Sequence, residues 1–382
     1  MTARSSWCQT AEDATSAGSN SGSRTWHQGI LAFGSSVNAS IVDGRFLDNA
    51  AGTVLVARQQ AVLSITGSTF VQNNYTYGGV LFLAGTATAT ITHSRLQGSA
   101  AEFNGGAAYI RDNSSLSISN STVCGNVAHF GAGLACDNNS TLVVSKSLVQ
   151  GNTAALQGGG IVADANCKVV LRGVSMRDNS ASTGGAVYVL GNASAAAGGC
   201  LLANNSAIDG AGFALTDNSF TTLQDVIFVN NTAQNSGSAV SADKSTKFTS
   251  NSAFTGAALA ASDKSALELV GSHLQRNDAT QNAGAVLVVD KAQVAVINCS
   301  FTGNDAESGG ALCAAGSSRL GVHGSSFASN SATWGGALRA DELSKVVLHA
   351  CLLDGNTAVL VGGVLQALKQ TQVGRHQVPV SL

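Results

Sequence analysis

A unit of about 26 residues recurs along this chain, and its fixed features leave few folds open. Asparagine, replaced once by serine, stands at Asn49, Asn73, Ser99, Asn126, Asn152, Asn179, Asn205, Asn231, Asn251, Asn277, Asn304, Asn330 and Asn356. Of the twelve intervals between these positions, ten are 26 or 27 residues long and the others are 24 and 20. The residue three before each position is always apolar, from Phe46 and Phe70 to Phe327 and Leu353. The residue two after it is alanine everywhere but at Tyr75. A Gly-Gly pair and a short apolar run then complete most units, as in 309–312 and 335–338.

Between these marks the sequence alternates with period two, as at Leu116 and Ile118, Leu142 and Val144, and Val294 and Val296. That is the signature of half-buried strands. No 3.6-residue period competes with it, so helical and leucine-rich solenoids are excluded. A 26-residue unit of short strands cannot bury its own apolar face and must stack on copies of itself. The expected fold class is therefore all-β: a parallel β-helix solenoid of about 13 coils. Residues 29–368 carry the repeat, 1–28 form a low-complexity segment and candidate cap, and 369–382 form a tail. Stacking turns each repeated position into a column. The asparagines from Asn126 to Asn356 are expected to form an amide ladder, with the Gly-Gly pairs making the tight turns.

Composition agrees with thin stacked layers. Hydrophobic residues make up 44% of the chain but aromatics only 5%, and there are 44 glycines against one proline. A net charge of −2 with no Lys/Arg cluster gives no footprint for nucleic acid. No apolar run reaches the roughly 20 residues of a transmembrane helix. Residues 1–28 lack the apolar stretch of a signal peptide. Eight cysteines with no CxxC pair point neither to a disulfide scaffold nor to a zinc site.

The paired motifs FxxN and GGA plus an aliphatic residue occur as Phe301 to Asn304 with Gly309 to Leu312, and as Phe327 to Asn330 with Gly335 to Leu338. This pattern resembles the repeat of chlamydial polymorphic outer membrane proteins. The resemblance implies a pectin-lyase-like right-handed β-helix displayed outside the cell or at its surface as an adhesin. It also marks a difference, because the bacterial members end in a membrane barrel and this sequence does not.

Three sets of residues are candidates for chemistry. Tyr75, Tyr77, Phe103 and Phe130 lie near the turn before Gly-Gly on three consecutive coils, with Trp334 at a later one. They are read either as an aromatic stripe for sugar rings or a protein partner, or as variation at a permissive turn. Asp217, Asp243, Asp263 and Asp290 recur after the Gly-Gly strand. A carboxylate column there would suit calcium, while turn chemistry explains the same residues through bonds to their own backbone. The arginines beside Asp112, Asp178 and Asp341 read as isolated ion pairs, and the seven histidines as surface residues in unlike positions. Cys200, Cys299 and Cys351 share one repeat position and read as buried small side chains; Cys124 and Cys136 are within bridging reach.

The expectation is a non-catalytic structural or adhesive repeat protein that binds glycan or protein through its turns. A carbohydrate-active enzyme of the pectin-lyase-like kind is the alternative, and a fragment of a larger surface protein is a third reading. No cofactor other than calcium is expected.

Overall fold

The computed structural model describes residues 2–3, 29–34, 36–49, 52–216, 219–237, 242–244, 247–249, 251–261, 266–368, 371–376 and 380–381. Every described regular element is a strand, and every described strand pairing is parallel. The chain divides into two compact units, Met1–Ala181 with Val189–Ala195, and Ser182–Tyr188 with Ala196–Leu382.

In the first unit each of the four coils spanning residues 62–163 contributes a five-residue strand, a three-residue strand ending just before the corner position, a short strand after it, and the Gly-Gly strand. The five-residue strands stack in the order Asn38–Val42, Val62–Thr66, Thr88–Thr92, Ser115–Ser119, Thr141–Ser145 and Lys168–Arg172. Their alternation is structural: Leu63 and Ile65 are buried while Val62 and Ser64 face solvent. The Gly-Gly strands Leu81–Ala84, Ala108–Ile110, Leu134–Cys136 and Ile161–Ala163 are buried at every residue. Their inner face meets the core and their outer face is covered by the neighbouring turn. Asn126 donates from Nδ2 to Oδ1 of Asn152 at 2.9 Å, and Asn152 to Asn179 at 3.0 Å. Ser99 holds one rung with its hydroxyl, accepting from the backbone N–H of Asn73 at 3.2 Å.

The second unit repeats the plan. Its five-residue strands Ala266–Val270, Gln293–Ile297, Arg319–His323, Lys345–His349 and Gln372–His376 stack in register. Amide hydrogen bonds of 2.8–3.0 Å link Asn205, Asn231, Asn251, Asn277, Asn304, Asn330 and Asn356 in succession. A second free N–H on most of these amides reaches a carbonyl of the preceding coil, as from Asn304 Nδ2 to Leu274 O at 2.9 Å. These asparagines are buried, so an unmade bond would cost about 1–3 kcal/mol each. Three before their corners, Leu202, Phe228, Leu274, Phe301, Phe327 and Leu353 lie in the core, where Phe301 and Phe327 stack at 4.7 Å with rings 5° from parallel. In the first unit Phe46 and Phe70 stack in the same way at 4.9 Å.

The glycine pair has two distinct jobs. Gly309 sits at φ +67, where a Cβ would lie 2.2 Å from Leu312 O; Gly310 has ordinary φ, but a Cβ there would lie 2.3 Å from Gly336 O in the next coil. The first glycine thus serves the turn and the second the close stacking of coils.

The 20-residue interval between Asn231 and Asn251 keeps a shortened strand, Ala242–Lys244, at the place of the five-residue strand. Its pairing with Phe220–Gln224 slips by a residue between Leu223 and Gln224. Among the described residues, no strand stands between Phe213–Leu215 and Leu259–Ala261 at the Gly-Gly position. A small void of about 20 Å³ lies at this coil, lined in part by Phe213, Phe228, Asn231 and Asn251.

A disulfide joins Cys136 to Cys167, with Cα atoms 6.0 Å apart, and both residues are buried. Cys136 therefore bridges one coil onward, not to Cys124, which is half-buried. Cys136 ends a Gly-Gly strand and Cys167 follows the corner of the next coil. The same pair of positions two coils earlier is in contact through Ser114 Oγ and Leu83 O at 3.4 Å.

Candidate groove on the first unit

The outer face of the Gly-Gly strands and the turns leading into them enclose a groove of about 170 Å³. Asn104, Tyr109, Phe130, Asp137, Gln157 and Asp164 are among its lining residues. Tyr109 stands in register with Phe82 on one side and Ala135 on the other. Its ring centroid lies 5.6 Å from Phe82 and 5.9 Å from Tyr77, and Tyr77 in turn stacks on Phe103 at 5.2 Å. Phe103 continues to His129 at 6.2 Å, and the Arg58 guanidinium lies 5.3 Å over Phe82. The result is a connected aromatic surface whose outer members, Phe103 and His129, are exposed.

Charged groups flank it in a single column. Asp137 N–H bonds to Ile110 O and Asp164 N–H to Cys136 O, which sets Arg111, Asp137 and Asp164 on successive coils. Asp137 accepts a hydrogen bond from Tyr109 Oη at 3.0 Å and from the Asn138 N–H at 2.7 Å. Asp164 accepts from the Ala165 N–H at 2.6 Å. Arg111 pairs with Asp112 at 3.0 Å, and Asn138 Nδ2 donates to Asp112 at 3.2 Å. Burial, then the negative charge of Asp137, push the Tyr109 phenol above its ordinary range, so it is a neutral donor at physiological pH. Burial opposes the charge on Arg111, but Tyr109, Asp112 and Asp137 together raise its pKa. Burial followed by repulsion from Arg111 lowers that of Arg58. Apolar ring faces beside fixed donors and acceptors are the usual lining of a small-molecule site.

Residues 28–205 match the family model described as a right handed beta helix region. The fold is a right-handed parallel β-helix of about 12 turns, with about 26 residues per turn. No curated protein and no solved structure matches the chain. Among the described residues, no helix is long and apolar enough to cross a membrane.

The β-helix redistributes the aromatic residues that the sequence groups together. Tyr77, Asn104, Phe130 and Gln157 occupy one column, since Gly78, Gly105 and Gly131 each donate to the next member's carbonyl. Phe103 lies one residue earlier, in line with Thr76, because Asn104 lengthens its coil by one residue. Tyr77 and Phe103 are nonetheless brought into contact, whereas Tyr75 pairs with Ala101 at the start of a column of buried alanines. In the second unit Trp334 lies beside Arg339, whose guanidinium is 5.6 Å from the indole and donates to Ser308 and Asp341.

Of the proposed calcium column, Asp217 and Asp263 lie outside the described residues, and Asp243 is described in its backbone alone. Asp290 sits at a corner with φ 59. Among the described residues, no group of three or more His, Cys, Asp or Glu is arranged to hold a metal ion. Phe82 and Tyr109 are not marked by the sequence repeat, and Arg111, read there as an ion-pair partner of Asp112, also heads the column of Asp137 and Asp164. Arg111 and Asp137 follow consecutive Gly-Gly strands by the same number of residues, a signal visible once strand ends, not glycines, set the alignment.

Proposed function

We propose that this chain is a non-catalytic β-helix protein of the extracellular space or cell surface that holds a glycan in the groove of its first unit. The observation that carries the reading is the contact of Tyr77, Phe103 and Tyr109 beside the column of Arg111, Asp137 and Asp164. Ring faces cover the apolar side of a sugar, while fixed carboxylates and a guanidinium bond its hydroxyls. The Cys136–Cys167 disulfide supports an oxidising compartment. An adhesive role like that implied by the polymorphic outer membrane repeat extends the same reading.

The test is binding of the full chain to a panel of neutral and acidic polysaccharides by affinity electrophoresis. Retardation by at least one of them, lost tenfold or more in the double variant Tyr77→Ser with Phe103→Ser, is the expected result. Equal retardation of the parent and the double variant, with the fold intact by circular dichroism, would place binding elsewhere and overturn the reading.

The enzyme alternative is favoured by one specific observation, two carboxylates and a guanidinium on three adjacent coils. Release of reducing ends or unsaturated uronates from a bound polysaccharide, abolished by Asp137→Asn with binding retained, would replace the first reading with this one.

A further inference from the structure

The long strands of the second unit bring together residues that are far apart in sequence. His323, His349 and His376 each end such a strand, and backbone register places them on three consecutive rungs. The chain has seven histidines in 382 residues, so three in one column is far from what random placement gives. The rings of His323 and His349 face each other at 4.6 Å and lie 14° from parallel. Strand ends pass unnoticed in sequence because neither FxxN nor Gly-Gly marks them.

We propose that His323 and His349 form a binding site for a divalent first-row transition-metal ion, with His376 at the next register position. Neutral imidazole is the commonest side-chain ligand for such ions, and zinc–nitrogen bonds are roughly 2.0–2.1 Å long. Two ring nitrogens within about 4.2 Å can therefore share one ion. The rings lie 4.6 Å apart, and turning them about χ1 and χ2 until their in-plane nitrogen lone pairs converge lets both reach one ion. The surroundings are permissive. Gly321, two residues before His323 on the same face, has nothing within 4 Å of where a Cβ would stand, which leaves room for water ligands. The charged residues on this face, Arg319 and Lys345, begin the two strands, about 13 Å from the histidines at extended-strand rise. Ile297 occupies the preceding rung and closes the column on that side with an apolar group. Two ligands from adjacent coils also tie those coils together, so the ion stabilises the fold it binds.

The experiment is calorimetric titration of the untagged full chain with zinc chloride at pH 7.5, with thermal melting in parallel. One saturable site, a raised Tm in zinc and loss of both at pH 5.5, where imidazole protonates, are expected. His323→Gln and His349→Gln should each weaken binding tenfold or more, while His93→Gln and His273→Gln should leave it unchanged. Absence of saturable binding, or binding that survives both substitutions in the column, would overturn the proposal. Should the half-buried His349 variant fail to fold, the exposed His323→Gln decides the matter by itself.

Discussion

Asn304 has no exposed surface, yet its side chain is a polar amide. It is tolerated there because each of its groups is used: Oδ1 accepts from Asn277, and Nδ2 donates to Leu274 O and to Asn330. Removing it strands the partners as well as the bonds. Asn304→Ala should therefore cost about 3 kcal/mol, as a few buried groups each lose a partner. Asn304→Ser should cost less, because Ser99 shows that a hydroxyl can accept from the coil before while the backbone N–H still donates to the amide of the next coil. Urea unfolding of the two variants checks the order; equal losses would mean that acceptor geometry at this rung does not matter. The position was legible from spacing, since a polar residue fixed at one place per coil has few explanations other than a satisfied interior column. A second interior column was not legible in that way. Ser68, Ser94, Ser121 and Ser147 form it in the first unit, each accepting from the preceding coil or turn, and Cys299 takes the same role between Ser272 and Ser325. Shared occupancy by serine and cysteine hid it.

Strands and corners decide which residues meet, and there the spacing misleads by small amounts. Asn104 adds one residue to its coil, enough to move Phe103 out of the column of Tyr77 and Phe130. The groove was therefore half legible: the aromatic turn and the recurring carboxylates were visible, but Tyr109 and the alignment of Arg111 with Asp137 were not, because Tyr109 lies on the strand after the turn and the charged residues follow that strand's end. The disulfide illustrates a similar limit. Its cysteines are 31 residues apart, one coil plus the width of a corner, so comparing equivalent positions cannot pair them. A cross-link closing a loop of that length contributes about 3.7 kcal/mol in the chain-entropy account. Thermal melts with and without reductant should differ, and the double variant Cys136→Ser with Cys167→Ser should melt at the reduced value. A chain whose melting ignores both changes would show that these coils are held by their ladders alone.

For the molecule as a whole, stability in a stack of repeats is a sum of coil and neighbour terms. The period was the most legible feature because it is imposed by geometry: every coil must rise by one strand spacing and return to the same angular place. Deleting residues 305–330 removes one full interval and sets Asn304 one rung below Asn356. That variant should keep its β-rich circular dichroism and unfold cooperatively with a lower midpoint. Deleting 305–317 removes half an interval, turns every later column out of phase and should leave the second unit unfolded. Comparable folding of the two would mean that phase is not what holds these coils together. The amide column adds one more property. From Asn205 to Asn330 each amide donates to the amide of the later coil, and from Asn231 to Asn356 each accepts from that of the earlier one, so the side-chain dipoles share a sense along the stack. The coils are thus vectors: a coil transplanted from one rung to another fits if it keeps its heading, and an inverted one would set donor against donor at one border and acceptor against acceptor at the other.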